Sequence, residues 1–125
     1  MEITIQEFKH VVLIKITDRI DSSTAPEVEQ VIESLRYRGR YKLVIDISQL
    51  EYISSAGYRV LLSAQRNSKR HGQGEVMLAG VPEQIRQSLD ISGFTDYFKI
   101  YKDLSAVPEL EGQWPAGFSS GVETA

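Results

Sequence analysis

Apolar positions recur along this chain in two alternating periods. Residues 3–6 step between apolar and polar as a half-exposed strand does, and residues 11–16 form a more continuous apolar strand with Lys15 inserted. The four residues between, 7–10, suit a hairpin connection. Asp18, Arg19, Ile20 and Asp21 then read as a polar loop. Val28, Val31, Ile32 and Leu35 draw one apolar stripe along a helix. It opens at Thr24-Ala25-Pro26-Glu27, which fits a capping box with proline in the first turn, and stops at Gly39.

A strand over 43–47 follows, then a short loop, then a second helix over 55–70. Its apolar positions are Gly57, Val60, Leu61 and Ala64, at i, i+3, i+4 and i+7. Lys69, Arg70 and His71 fall at its C-terminal end, where positive charge is favoured, and Gly72 and Gly74 turn the chain. Residues 75–79 predict another strand. Pro82 opens a third helix with Ile85 and Leu89 inward and Gly93 as its stop, and residues 98–101 predict a last short strand. Residues 103–110 predict the start of a fourth helix that Pro108 weakens. From 111 to 125, Gly112, Pro115, Gly117 and Gly121 stand without any period, which reads as a flexible tail. Trp114 and Phe118 are its large apolar residues, available to dock on the body or on a partner.

The resulting order, β-β-α-β-α-β-α-β-(α), predicts an α/β domain over 1–110. Its mixed sheet of four to five strands has an N-terminal hairpin at one edge, right-handed crossovers, and helices packed mainly on one face. A length of 125 residues suits one such domain with a real core. No apolar run approaches the roughly 20 residues that span a bilayer, and residues 1–10 lack the pattern of a signal peptide. The absence of cysteine removes disulfide and thiolate chemistry and fits a reducing cytoplasm. A net charge of −3 gives no global reason to expect nucleic acid. The locally basic residues 36–42 read as a solvated helix end, with a phosphate-binding patch as the sharper alternative.

Chemistry concentrates at the start of the second helix. Free backbone N–H groups and the helix dipole there favour a negative group. Ser55, taken as the N-cap or the residue just before it, can be a cap, an anion site or a phosphorylation switch. Ala56 and Gly57 let a partner backbone approach, or let the helix lie close to the sheet. Asp21, in a loop that can neighbour Ser55, either orients a hydroxyl or contacts a partner, or serves as a turn or cap aspartate. Asp46, between two buried-type residues, reads as a structural bond to the loop before the second helix. Tyr58 and Arg59 lie in the first turns beside the serines, as partner contacts or as plain surface.

Catalysis is not expected. His10 sits in a turn and His71 lies about 24 Å from Ser55 along the helix axis, so neither serves as a base for a serine nucleophile. No nucleophile elbow, phosphate loop or dinucleotide glycine pattern is present, and two separated histidines without cysteine suggest no metal. No cofactor is expected.

The segment Ile45-Asp46-Ile47-Ser48, the run Tyr52-Ile53-Ser54-Ser55-Ala56-Gly57-Tyr58-Arg59-Val60-Leu61-Leu62 and the later Val76-Met77-Leu78-Ala79-Gly80 resemble the STAS domain. This is the sulfate-transporter and anti-sigma-factor-antagonist domain, and the chain is most similar to its free-standing bacterial anti-sigma factor antagonists. Arg19-Ile20-Asp21, Thr24-Ala25 and Ile91-Ser92-Gly93-Phe94 also fit, so that the resemblance covers about residues 1–107.

The resemblance implies a STAS fold and a role in partner switching. Its partner would be an anti-sigma factor that is also a serine kinase of the histidine-kinase-like ATPase superfamily. Phosphorylation at the start of the second helix would end the interaction, and a metal-dependent serine phosphatase would restore it. Alone, the chain would be a monomer. The commonest family pattern is Asp-Ser-Ser-Gly with the second serine phosphorylated. Aligned on Gly57, this chain places Ala56 at that acceptor position, Ser55 at the first serine and Ser54 at the aspartate. Ser55 is then the implied acceptor, with Ser54 second, and Asp21, Ser54, Ser55, Ala56, Gly57, Tyr58 and Arg59 form the implied partner surface. The alternative is an unphosphorylated STAS module that acts as a scaffold or binds a nucleotide or other small anion.

Overall fold

Both faces of the central sheet are covered, which explains the near-continuous apolar reading of its inner strands. Residues 1–112 are described by the computed structural model. The strands are β1 (Ile3–Glu7), β2 (Val12–Ile16), β3 (Asp18–Ile20), β4 (Lys42–Asp46), β5 (Leu50–Ile53), β6 (Glu75–Ala79) and β7 (Lys99–Tyr101). The helices are α1 (Ala25–Tyr37), α2 (Ser55–Ser68) and α3 (Glu83–Ser92), with 3₁₀ turns at Phe94–Tyr97, Leu104–Ala106 and Pro108–Leu110.

The main sheet runs β1-β2-β4-β6-β7. β1 and β2 form the antiparallel hairpin at one edge, and all other neighbours are parallel. On one face Val12, Ile14, Ile16, Leu43, Ile45, Val76 and Leu78 meet the stripes of α1, α2 and α3 in the principal core. On the other, Val11, Leu13, Val44, Met77 and Ala79 meet Leu104, Val107 and Leu110. The three helices therefore pack on one face, as expected, and short 3₁₀ turns close much of the other.

Several local expectations are corrected. Residues 18–21 are not a simple polar loop: β3 pairs in parallel with β5 in a separate two-stranded sheet. Strands of three and four residues carry too little alternation to be read locally. The fourth helix is replaced by the two 3₁₀ turns, because Pro108 cannot donate to a continuing helix. The capping box at α1 does not form. Thr24 turns its hydroxyl backward, accepting from the Asp21 N–H at 2.8 Å and donating to the Arg19 carbonyl at 3.1 Å. Helix α2 ends at Ser68 rather than Arg70. Trp114 and Phe118 lie outside the described residues.

Gln65 joins the helix layer to the sheet. It is buried on α2, and its amide accepts from the Val76 N–H at 2.7 Å and donates to the Val76 carbonyl at 2.9 Å. It also donates to the Tyr97 carbonyl at 2.6 Å. One side-chain amide thus extends the β6 ladder just before β7 begins, where the backbone groups of Val76 would otherwise lie buried without partners.

Candidate functional site

The β3–β5 ribbon positions the start of α2. Ile20 is in register with Ile53, and the next residue, Ser54, donates its N–H to the Ile20 carbonyl at 2.8 Å. This bond brings the loop of Asp21 beside the serines. Ser54, not Ser55, is the N-cap. Its backbone is extended and its hydroxyl accepts from the Gly57 N–H at 3.4 Å, a long bond. Ser55 is the first helical residue and is exposed, whereas Ser54 is half-buried. The expectation that Ser55 caps the helix or precedes the cap is corrected by one position: the cap duty falls on Ser54, and the Ser55 hydroxyl faces solvent.

The next residues divide between packing and exposure. Ala56 is half-buried against the principal core. Gly57 is buried, and a Cβ there would sit 2.6 Å from Ile53 Cγ1 and 2.9 Å from Ile20 Cγ2. Of the two readings for Gly57, close packing of the helix on the ribbon is what the geometry displays. Tyr58 is half-buried, its ring 5.3 Å from that of Phe94. Burial pushes its phenol pKa up. Arg59 is exposed, one turn beyond Ser55, and makes no ion pair among the described residues.

Asp21 is committed to its own loop. One carboxylate oxygen accepts from the Ser23 N–H at 3.0 Å, the Ser23 hydroxyl at 2.7 Å and the Thr24 N–H at 3.2 Å. The other accepts from Arg19 Nε at 3.0 Å. The Ser23 bonds, followed by the Arg19 bond, hold its carboxyl well below the usual carboxylate range. Among the described residues its side chain bonds neither Ser54 nor Ser55, so its geometry is that of an aspartate organising the entry to α1. Asp46 is buried and accepts from the Ser48 N–H at 2.9 Å, which secures the turn between β4 and β5.

Two features were not singled out from sequence. The Arg19 guanidinium lies over the Tyr52 ring at 4.8 Å, and Tyr52 is exposed. Ile91, a turn beyond Ser88 on α3, is 88% exposed. The first lies beside the serines through the pairing of β3 with β5, which no local pattern encodes. Chemically, the assembled surface offers one free hydroxyl at an electropositive helix start, beside exposed aromatic and cationic side chains. Among the described residues no group of His, Asp and Glu is arranged to hold a metal ion, and no helix is long and apolar enough to cross a membrane.

Comparison with known proteins shows the family and the fold. The STAS domain family model matches residues 2–107. BtrV of Bordetella bronchiseptica is 29% identical over 100 residues, covering 80% of this chain and 85% of that protein. The anti-sigma-B factor antagonist of Listeria monocytogenes is 30% identical over 87 residues, covering 70% of this chain and 75% of that protein. Among solved structures, the Bacillus cell fate determinant SpoIIAA in its phosphorylated form superposes with a TM-score of 0.68 at 14% identity. That match covers 87% of this chain and 99% of SpoIIAA, and shows the shared fold.

Proposed function

The chain belongs to the STAS domain family, and from that premise we propose that it is an anti-sigma factor antagonist, regulated by phosphorylation of Ser55. In this reading the unmodified protein binds an anti-sigma factor that is also a serine kinase, and so frees a sigma factor. The kinase transfers phosphate to Ser55, and a metal-dependent phosphatase removes it. The site works in the cytoplasm as a binding surface, without catalysing a reaction of its own. Support comes from the name of the Listeria relative and from the existence of a phosphorylated SpoIIAA.

The observation that carries the reading is the exposed Ser55 hydroxyl at the first position of α2, next to a cap that Ser54 already supplies. A phosphate there adds a charge of about −1.5 to −2 at neutral pH. The helix start tolerates it, because the dipole and free N–H groups stabilise a nearby anion by roughly 0.3–1 kcal/mol. The fold is therefore retained while the docking surface changes. A partner cleft shaped around a hydroxyl must now face a dianion, and a penalty of about 3–4 kcal/mol weakens binding several hundred-fold.

A specific observation favours a second reading. Ala56 stands where the commonest family pattern has its acceptor serine. An unphosphorylated STAS module would use the same surface constitutively, as a scaffold or for a small anion. Incubation with the cognate kinase and ATP, followed by intact mass, separates the two. The first reading expects a gain of one phosphate, lost in Ser55→Ala and kept in Ser54→Ala. No phosphate gain sinks it, and loss of labelling only in Ser54→Ala moves the acceptor to Ser54.

A further inference from the structure

Cations gather at the end of the molecule away from Ser55. Lys9 and His10 lie in the bend between β1 and β2, Arg40 and Lys42 lead into β4, and His71 lies in the turn between α2 and β6. These three segments line one open pocket of about 420 Å³, and among the described residues no carboxylate lines it. Its size suits a small molecule. The parallel strands β4 and β6 start at this end. Ser55 stands at the other end of α2, about 20 Å away at 1.5 Å per residue over 14 residues.

The whole chain carries a net charge of −3, so composition does not explain a cationic pocket. Helix ends explain part of it, because positive side chains are favoured where α1 and α2 finish. They do not explain Lys9, His10 and Lys42, which the hairpin bend and a strand bring in. The walls are built from fixed groups. Arg40 donates to Glu7 at 2.8 Å and to the Phe8 carbonyl at 2.5 Å, which ties the bend to the entry of β4. Tyr41 and His71 stack with ring centroids 3.9 Å apart and planes 7° apart. The His71 Nδ1–H donates to the Asn67 carbonyl at 3.0 Å, and the Tyr41 carbonyl accepts from the Glu75 N–H at 3.0 Å. Two ammonium groups are left for a ligand. Lys9 makes no ion pair among the described residues. Lys42 has Glu109 at 3.8 Å, well beyond a charge-assisted hydrogen bond.

We propose that this pocket binds a phosphate monoester or diphosphate group, carried by a soluble molecule or by a lipid headgroup. Lys9 and Lys42 take the phosphate oxygens, the His10 imidazole donates beside them, and the Tyr41–His71 stack forms the wall for whatever carries the phosphate. An ammonium has three donors and no acceptor, and a phosphate offers acceptor oxygens with close to two negative charges. Two lysines and a histidine around one pocket match a dianion better than a single carboxylate. Arg40, already engaged by Glu7 and the backbone, shapes the wall. The site is independent of Ser55 and of any phosphate placed there.

Inorganic pyrophosphate titrated into the full chain, followed by amide chemical shifts, tests the site. Saturating shifts are expected at His10, Tyr41, Lys42, His71 and Gln73. Lys9→Gln, in an exposed bend, should weaken binding about three-fold, as the loss of one exposed ion pair. Lys102→Gln removes the same charge beside Tyr101, which pairs with Ala79 at the far end of β6, and should leave the affinity unchanged. Vesicles of phosphatidylcholine containing phosphatidic acid test the other source of the same group. Cosedimentation that Lys9→Gln reduces assigns the phosphate to a lipid headgroup, and pyrophosphate binding without cosedimentation assigns it to a soluble molecule. Absence of both overturns the proposal. So does equal weakening by the two lysine variants, which marks a diffuse charge effect, and so do saturating shifts confined to Ser54, Ser55, Ala56 and Gly57, which move the anion to the start of α2.

Discussion

Ser54 donates its backbone N–H to the carbonyl of Ile20 at 2.8 Å, while its own carbonyl receives the Tyr58 N–H at 3.0 Å. One residue is thus the end of the β3–β5 ribbon and the beginning of α2. Its hydroxyl is engaged with Gly57 as the cap, which leaves Ser55 as the chemically available neighbour. Under the proposed function, structure and signalling divide between two adjacent serines.

That division predicts opposite behaviour on truncation. Ser54→Ala removes the cap and should destabilise the fold by about 0.5–1 kcal/mol, at the low end for such caps because the bond is long. Ser54→Asp should retain most of the stability. Ser55→Ala should stay within about 0.5 kcal/mol of the parent, as an exposed substitution. Urea midpoints of the three variants check the order, and equal losses at both serines contradict it.

Ser55→Asp tests the electrostatic side of the proposed switch. A carboxylate at the first turn is well tolerated by the helix dipole, so the thermal midpoint should hardly move. Affinity for the anti-sigma kinase, read by calorimetry, should fall about ten-fold or more, which corresponds to roughly 1.4 kcal/mol. A large drop in thermal stability instead points to a structural hydroxyl.

Gly57→Ala sets helix propensity against packing. Alanine gains about 0.8–1.0 kcal/mol over glycine in a helix interior. Its Cβ would nonetheless meet Ile53 and Ile20 at 2.6 and 2.9 Å, and overpacking of this kind costs about 1–3 kcal/mol. Both isoleucines are buried and stiff at χ1, so a net loss of stability is expected. A chemical denaturation curve showing a gain would mean that the ribbon moves aside easily.

Gln65→Leu keeps much of the volume but strips the Val76 N–H and the Val76 and Tyr97 carbonyls of a shared partner. Leaving a buried polar group unpaired costs about 1–3 kcal/mol. The variant should therefore lose at least about 2 kcal/mol, with hydrogen exchange accelerated first at Val76. Unchanged protection at Val76 would remove the amide from the account of sheet order.

Acid lability should trace in part to Asp21. Its folded pKa lies below the ordinary value, so its contribution is fully present above the unfolded carboxylate pKa of about 3.9 and is lost as pH falls below it. The stability difference between the parent and Asp21→Asn should shrink as pH drops from about 5 toward about 2. Glu7, Asp90 and Asp103 are shifted the same way, so the subtraction, not the parent curve alone, carries the test. A difference independent of pH would show that the Ser23 and Thr24 bonds need no charge.

The sequence by itself determined the order of the major strands and helices, the hairpin edge and the parallel core. It determined these because continuous apolar strands and 3.6-period stripes are local records of burial. It also carried the family likeness, and the STAS domain model matches residues 2–107. Only the tertiary structure decided the rest. The pairing of Asp18–Ile20 with Leu50–Ile53 is non-local and too short to leave a period, yet it fixes which serine caps α2. Thr24 gave up its capping box because the Asp21 loop offered its hydroxyl nearer partners. Residues 104–110 became 3₁₀ turns because Pro108 blocks a helix while the second face of the sheet still had to be covered. Pattern records how much surface a residue must bury; which neighbour buries it, and which hydroxyl is left for water, depends on contacts between segments far apart in the chain.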